Sequence, residues 1–250
     1  MTNLKGKVAL ITGSARGIGK MIAERYASLG ANIVVNYSKD KESADITVHN
    51  IQQFGVKAIA VKANIADVGE IEKLFGSAIE AFGKIDIVVA NAGVELIDLP
   101  ITEVTEEQYD RLYNINTRGT FFTLQQAAKN VSNNGRIIYI GSTTADYPMP
   151  GIGLYGSSKT SSRYVVEVLA LELGKRGITV NGIIPTAIDG AGIFTNPEAN
   201  PAMRAFVKNN VPMGRMCTAE DVADVAEFFA GNLSSFVSGQ NLCITGGATA

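Results

Sequence analysis

Seven short runs of aliphatic and β-branched residues, at 8–11, 32–35, 58–61, 86–89, 136–140, 178–181 and 241–244, recur along this chain at intervals wide enough to hold a helix. Within each run the apolar character is nearly continuous rather than alternating, which is how a strand buried on both faces reads. Helical patterns fill the gaps: one runs through Arg25 and Leu29, and others span 42–54, 68–82, 106–130 and 155–175. Strand and helix in alternation imply right-handed crossovers and a parallel sheet covered by helices. The expected fold is α/β, a doubly wound, seven-stranded parallel sheet with helices on both faces, in a single domain spanning 1–250. Gly30, Gly55, Gly83, Gly135 and Gly177 each stand shortly before a strand, where a helix needs a stop.

The composition agrees with a large core: 46% of the 250 residues are hydrophobic and 18% charged. A net charge of -2 gives no electrostatic case for nucleic acid, and no apolar run approaches a membrane span, so neither partner is expected. Cys217 and Cys243 are too few for a disulfide framework and lack metal-ligand spacing. The lone histidine, His49, lies in a helical pattern far from the motifs below, and no metal is expected. The first residues run directly into a strand without an apolar leader and cleavage site, which predicts a cytoplasmic protein.

The first strand ends in Thr12-Gly13-Ser14-Ala15-Arg16-Gly17-Ile18-Gly19, and a helical pattern follows. Glycines let the backbone turn tightly against a phosphate, and a helix start offers unpaired N–H groups and the positive end of a dipole. Strand, glycine turn and helix in this order predict a dinucleotide site. An NAD site carries Asp or Glu at the end of the second strand. Here that place is held by Asn36, in Asn36-Tyr37-Ser38-Lys39. No carboxylate there would repel a 2′-phosphate, while Arg16 offers a forked contact, Ser38 a hydroxyl and Lys39 a charge. The expected cofactor is NADPH/NADP+.

Around the fifth strand, Ser142 and the pair Tyr155 and Lys159 carry acid/base chemistry. A tyrosine and a lysine four apart share one helical face. A phenol exchanges its proton too reluctantly near neutrality, and a neighbouring ammonium favours the phenolate, so the spacing predicts a lowered Tyr155 pKa.

These motifs together resemble the short-chain dehydrogenase/reductase family, in its branch of single-domain Rossmann-type enzymes, and the resemblance runs essentially end to end. Thr12 to Gly19 is similar to the family's TGxxxGxG, and Asn91-Ala92-Gly93 to its NNAG turn with Ala90 replacing the first Asn. Asn116 matches the family's helix Asn, and Ser142, Tyr155 and Lys159 match its Ser and YxxxK. The stretches at 35–37, 61–64 and 115–119 look most like fungal polyhydroxynaphthalene reductases and related NADPH-dependent ketoreductases. The resemblance implies a carbonyl reductase or alcohol dehydrogenase in which Ser142 steadies the developing oxyanion and Tyr155 donates the proton. Lys159 would hold the nicotinamide ribose and Asn116 a relay water. It extends the cofactor site to Tyr37, Asn64, Ile65, Asn91, Ala92, Gly93, Pro185, Thr186 and the backbone of Ile188. It also implies a homotetramer, which the apolar stretch 165–169 suits, and a small ketone or alcohol substrate.

The irregular stretch from Pro185 to Met213 contains Gly190, Gly192, Pro197, Pro201 and Pro212, and is expected to form a substrate lid at about 186–213. Within it Thr186 replaces a common Gly and Asp189 stands near a frequent Thr. Two other readings compete. A 3-oxoacyl-carrier-protein or 3-oxoacyl-CoA reductase expects a basic entrance, for which Arg204, Lys208 and Arg215 are available. A non-catalytic NADP-binding sensor needs none of Asn116, Ser142, Tyr155 and Lys159. The charge reading makes one expectation measurable: Arg16→Ala loses more affinity for NADPH than for NADH in fluorescence titrations, and an equal loss for both contradicts it.

Overall fold

The computed structural model describes residues 2–248 apart from 197 and 199, so Pro197 lies outside the described residues. Seven strands are present: β1 Val8–Ile11, β2 Asn32–Tyr37, β3 Ala58–Lys62, β4 Ile85–Ala90, β5 Val131–Ile140, β6 Thr179–Pro185 and β7 Asn241–Ile244. The helices are α1 Gly17–Ser28, α2 Lys41–Gln52, α3 Val68–Phe82, α4 Glu106–Tyr113, α5 Thr120–Asn130, α6 Gly153–Leu173, α7 Pro201–Asn210 and α8 Ala219–Ala230. The strands form one sheet in the order β3-β2-β1-β4-β5-β6-β7, with every pairing parallel. The expected doubly wound sheet is therefore the observed one.

Alternate residues of each strand feed the two faces. Ala9 and Ile11 of β1 pack with Ile22, Ala23 and Tyr26 of α1 and with Val222 and Phe229 of α8. Leu10 turns the other way, toward Leu74 and Phe75 of α3, Leu124 of α5 and Val166 of α6. Burying a side chain of this size contributes about 1.5–3 kcal/mol, which is why strands buried on both faces can afford no polar alternation. Tyr26 is fully buried and donates its hydroxyl to the Ala226 carbonyl at 2.8 Å, so even its polar end is satisfied.

Three expectations are corrected. The pattern at 106–130 is not one helix: a π turn at Asn114–Gly119 separates α4 from α5. The stretch expected to be irregular contains α7, with Pro201 in its first turn. The helix α8, absent from the sequence reading, starts at a capping box between Thr218 and Asp221. Gly135 also differs from the other four joint glycines, which all have positive φ. It lies inside β5, where a Cβ would meet the Asp86 carbonyl at 2.8 Å.

In α6, Val166 and Leu169 face the core, so most of the 165–169 stretch is accounted for within the chain. The outward apolar residues of this helix are Tyr164 and Leu171. Among the described residues no helix is long and apolar enough to cross a membrane, and no group of three or more His, Cys, Asp or Glu could hold a metal ion.

Candidate active site

The strand order reverses between β1 and β4, and the loops after these two strands meet there, as ligand sites do in open α/β sheets. The glycine loop after β1 is braced from inside. Thr12 Oγ1 accepts the N–H groups of Asn91 and Ala92, each at 3.0 Å, and Asn91 Nδ2 donates to the Thr12 carbonyl at 2.8 Å. Gly13 and Gly17 adopt φ values of +63° and +58°, which disfavour a side chain. At Gly19 a Cβ would lie 2.6 Å from Asn91 Nδ2, so the two turns can approach this closely only with glycine there.

Ser14 and Asn36 are also committed to this bracing. Asn36 Oδ1 accepts the Gly13 N–H at 3.0 Å, and its Nδ2 donates to the Ala63 carbonyl at 3.0 Å. Ser14 Oγ donates to the Ile11 carbonyl and accepts the Asn36 N–H. Both residues are buried, so their side chains shape the loop from beneath rather than face a nucleotide. Tyr37, Ser38 and Lys39 lie above them, with Ser38 and Lys39 exposed. Arg16 is exposed at the start of α1. The Asp40 carboxyl is held below its ordinary range by the hydroxyl and N–H of Ser43, and then by the charge of Arg16. Asp40, which the sequence reading passed over, therefore shares the field of Arg16.

A dinucleotide fits these residues. Among the described residues, α2, α3, α4 and α8 each start with a side-chain cap, from Asp40, Asp67, Thr105 and Thr218. The start of α1, like those of α5, α6 and α7, has neither a side-chain cap nor an acidic residue in its first turn, and α1 alone follows the glycine loop. Its N–H groups are left for an anion such as a pyrophosphate. Ile65 is buried beside the groove, while Asn64 Oδ1 turns back to accept the Ala66 N–H at 3.1 Å. At the other end, Pro185 and Ile188 are buried and Thr186 is half-buried.

The acid/base residues gather after β5. Gly156 lets α6 approach the turn at 143–145, for a Cβ there would meet the Thr144 carbonyl at 2.6 Å. This close packing brings Tyr155 to Ser142, whose hydrogen bond acts to lower the tyrosine pKa. Ser142 Oγ also accepts from Thr144 Oγ1 at 2.9 Å. Lys159 follows one turn along α6. Its Nζ lies 5.9 Å from the ring centroids of both Tyr155 and Tyr139, and donates to the Ile140 carbonyl at 3.5 Å.

Asn116 sits fully buried in the π turn and ties three elements together. Its Oδ1 accepts the Val94 N–H at 2.9 Å, and its Nδ2 donates to the Val94 carbonyl at 2.9 Å and to Ser158 Oγ at 3.1 Å. Thr117 adds a bond from Oγ1 to the Ser158 carbonyl. A Cβ on Gly93 would stand 3.1 Å from Lys159 Nζ and 3.2 Å from Asn116 Oδ1, so glycine leaves the space above both groups open.

The electrostatics depart from the spacing argument. Burial pushes Lys159 down to about 8, with Glu95 pulling partly back. Tyr155 is moved upward, first by burial and then by the charge of Glu95, against the downward pull of Ser142. The expected lowering of the phenol pKa is therefore not found in this structure. The physical reason is that burial disfavours both charged forms, while the ammonium sits nearly 6 Å from the ring centroid. Tyr155 is consequently held as a neutral acid.

Glu95 was not singled out from the sequence. It follows the Asn91-Ala92-Gly93 turn by two residues, and Oε2 accepts the Ile193 N–H at 3.0 Å. Its own pKa is raised by burial of the carboxyl, against the hydrogen bond from Ile193 and the charge of Lys159. In the 186–213 segment, Asp189 pairs with Arg204, which also donates to the carbonyls of Phe194 and Asn196 and covers the Phe194 ring. Phe194 is thus buried within the segment, whereas Phe206 is exposed.

The chain is similar to known proteins over nearly its whole length. A family model described as enoyl-(acyl carrier protein) reductase matches residues 13–249. A hydroxynaphthalene reductase-like protein, Arp2, of Metarhizium majus is 39% identical over 98% of this chain and 96% of that protein. A short-chain dehydrogenase/reductase of Cryptosporiopsis is 39% identical over the same shares. Among solved structures, a short-chain dehydrogenase of Burkholderia cenocepacia in complex with NADP has a TM-score of 0.93 and 34% identity, over 99% of this chain and 100% of that one. A short-chain dehydrogenase/reductase from Serratia marcescens has a TM-score of 0.89 and 33% identity, over 99% of both chains. A coenzyme-type groove beside a Ser–Tyr–Lys group defines an oxidoreductase. The chain belongs to the short-chain dehydrogenase/reductase family.

The buried ammonium makes a stability prediction. The folded-state pKa of Lys159, about 8, lies below the unfolded value near 10.4, so between the two the unfolded chain holds more protons and stability rises with pH. Lys159→Met is expected to stabilise the cofactor-free protein by about 2 kcal/mol at pH 7 in urea titrations, with the gain fading toward pH 10. A variant less stable than the parent at pH 7 contradicts this.

Proposed function

We propose that the protein is an NADPH-dependent carbonyl reductase in which Tyr155 donates a proton to the ketone oxygen, so that the ketone becomes a secondary alcohol. The observation that carries this reading is the gathering of Ser142, Tyr155 and Lys159 beside the Asn91-Ala92-Gly93 turn that braces the glycine loop, with Tyr155 neutral. The NADP complex of the Burkholderia relative and the reductase name of the Metarhizium relative support it.

The N–H groups at the start of α1, with Gly13, Ile18 and Gly19 shaping their approach, would hold the pyrophosphate. Arg16, Ser38 and Lys39 would hold the 2′-phosphate, with Tyr37, Asn64 and Ile65 around the adenine. Asn91, Ala92 and Gly93 floor the groove, and Pro185, Thr186 and the Ile188 backbone close its nicotinamide end. NADPH bound there supplies the hydride.

Ser142 donates a hydrogen bond to the ketone oxygen and stabilises the charge that develops on it, the situation in which a placed donor is worth most. Tyr155 then passes its proton to that oxygen. A phenolate left by this transfer is stabilised by the charge of the Lys159 ammonium. Lys159 gains partners in the ribose hydroxyls, which its single long hydrogen bond leaves wanting. Because the Asn116 side chain is committed to Val94 and Ser158, a relay water beside Lys159 is assigned to the main chain of the π turn. The 186–213 segment acts as the lid over this centre.

A homotetramer is the proposed assembly. One face carries a groove of about 600 Å³ between α4, α5 and α6, with Tyr109, Phe121 and Tyr164 exposed along it. A separate face carries exposed Leu233, Phe236 and Leu242. Two such faces suit the two kinds of isologous contact in a D2 assembly. The free thiols of Cys217 and Cys243 suit the reducing cytoplasm in which we place the enzyme.

Oxidation of NADPH at its absorbance band, with a panel of cyclic and aromatic ketones, tests the reaction. Tyr155→Phe is expected to lower kcat by about a thousandfold or more while NADPH still binds, and substantial remaining turnover would overturn the assignment. Sedimentation is expected to give a tetramer, and a stable monomer would contradict the proposed assembly.

A further inference from the structure

Glu95 is the one carboxylate whose charge is felt by both Tyr155 and Lys159 among the described residues. The chain reaches it two residues after Gly93, where a Cβ would stand 3.1 Å from Lys159 Nζ and 3.2 Å from Asn116 Oδ1. The residue is accessible to solvent, yet its end is fixed. Oε2 is tied to the Ile193 N–H across 98 residues of sequence. The carboxyl also lies flat on Gly192, which has a φ of +54° and whose missing Cβ would collide with it. Oε1 has no hydrogen-bond partner among the described residues, and no cation lies within 4.0 Å of the carboxylate. A fixed, unpaired acceptor beside the reacting centre has only solvent or substrate to satisfy it.

We infer that Glu95 is a specificity-determining residue, its lid-held carboxylate accepting on Oε1 a hydrogen bond from a hydroxyl of the ketone bound at Tyr155. The preferred substrates are then neutral, hydroxylated ketones. Ketones bearing a carboxylate are disfavoured, because their charge meets Glu95 in a site from which closure removes water. A hydroxyl lost from such a substrate leaves Glu95 unpaired again, which is how a polar site discriminates strongly between close analogues. The inference rests on the reductase reading and adds the substrate class to it.

The test uses the full-length protein, saturating NADPH and a matched series on one bicyclic scaffold: 2-tetralone, its ring-hydroxylated isomers and a ring-carboxylated derivative. For the parent protein, at least one hydroxylated isomer is expected to exceed 2-tetralone in kcat/KM by about tenfold or more, and the carboxylated one to fall below it by a similar factor. Glu95→Ala brings the hydroxylated-to-parent ratio to about one, chiefly through KM of the hydroxylated ketone. Glu95→Gln, nearly the same shape and still able to accept from Ile193, keeps part of that ratio and lifts the discrimination against the carboxylate by about tenfold. If both variants leave the ratios of the parent protein unchanged, or lower every ketone by the same factor, Glu95 does not read the substrate and the inference fails, while the reductase reading stands. If the parent protein turns over no member of the series or of the wider ketone panel, the reductase reading fails and takes this inference with it.

Discussion

An ammonium buried with one long hydrogen bond is an unfavourable arrangement, and the rest of the site is built around it. Lys159 is 5% exposed and lies between two tyrosine rings, at 3.5 Å from the carbonyl that accepts its hydrogen bond. In that setting the charged form is disfavoured, so its pKa falls to about 8, and the same dryness moves Tyr155 upward. The two effects have one cause, and they produce a neutral acid beside a cation short of partners. The proposed reduction needs that protonation state: the phenol must still carry the proton it would give away. A stable site would have paired Lys159 with a nearby carboxylate. Glu95 is close enough to pull its pKa back in part, but within 4.0 Å no such pair forms.

Holding a group in so unfavourable a place requires elements packed more closely than side chains allow. At Gly156 α6 rests on the Thr144 carbonyl, and at Gly119 the π turn rests on the Ile65 carbonyl, where a Cβ would come within 2.5 Å. The Asn116 amide then joins the π turn to Val94 and to Ser158, and through them β4 to α6. A π turn inserts one extra residue into a helix and shifts the register of everything after it. Here the insertion turns Asn116 inward while Leu124 and Ala127 of α5 still meet the core.

Those same features explain what could be read from the sequence. Strands buried on both faces announce themselves by continuous aliphatic runs, and the glycine loop and the Tyr155–Lys159 spacing are local patterns, so both were visible. The π turn was not, because a single inserted residue hardly disturbs the helical periodicity of 106–130. Two helices were missed despite available signals: Pro201 at the start of α7, and the Thr218–Asp221 capping box of α8. The direction of the Tyr155 shift was misread because spacing along a helix places a cation nearby but says nothing about how dry the place is. Glu95 was illegible for a different reason: its importance depends on Ile193, 98 residues away, and no local spacing encodes that contact.

The pairing of charges in and beside the 186–213 segment bears on which of the competing substrates is favoured. A carrier-protein substrate arrives on a phosphorylated arm and needs cations free at the entrance. Arg204 is committed to Asp189 and to the carbonyls of Phe194 and Asn196, where it ties the 186–213 segment together. Arg215 is paired with Asp221 at the start of α8. Asp189, which on sequence alone could as well have repelled a ligand, serves to neutralise Arg204. Of the three cations that could have made a basic mouth, two are structural, and the carboxylate of Glu95 lies near enough to Lys159 for its charge to be felt there. Free cations to attract an anion are therefore few while a carboxylate stands near Lys159, and on the proposed reading this favours a small uncharged ketone over a tethered acyl thioester.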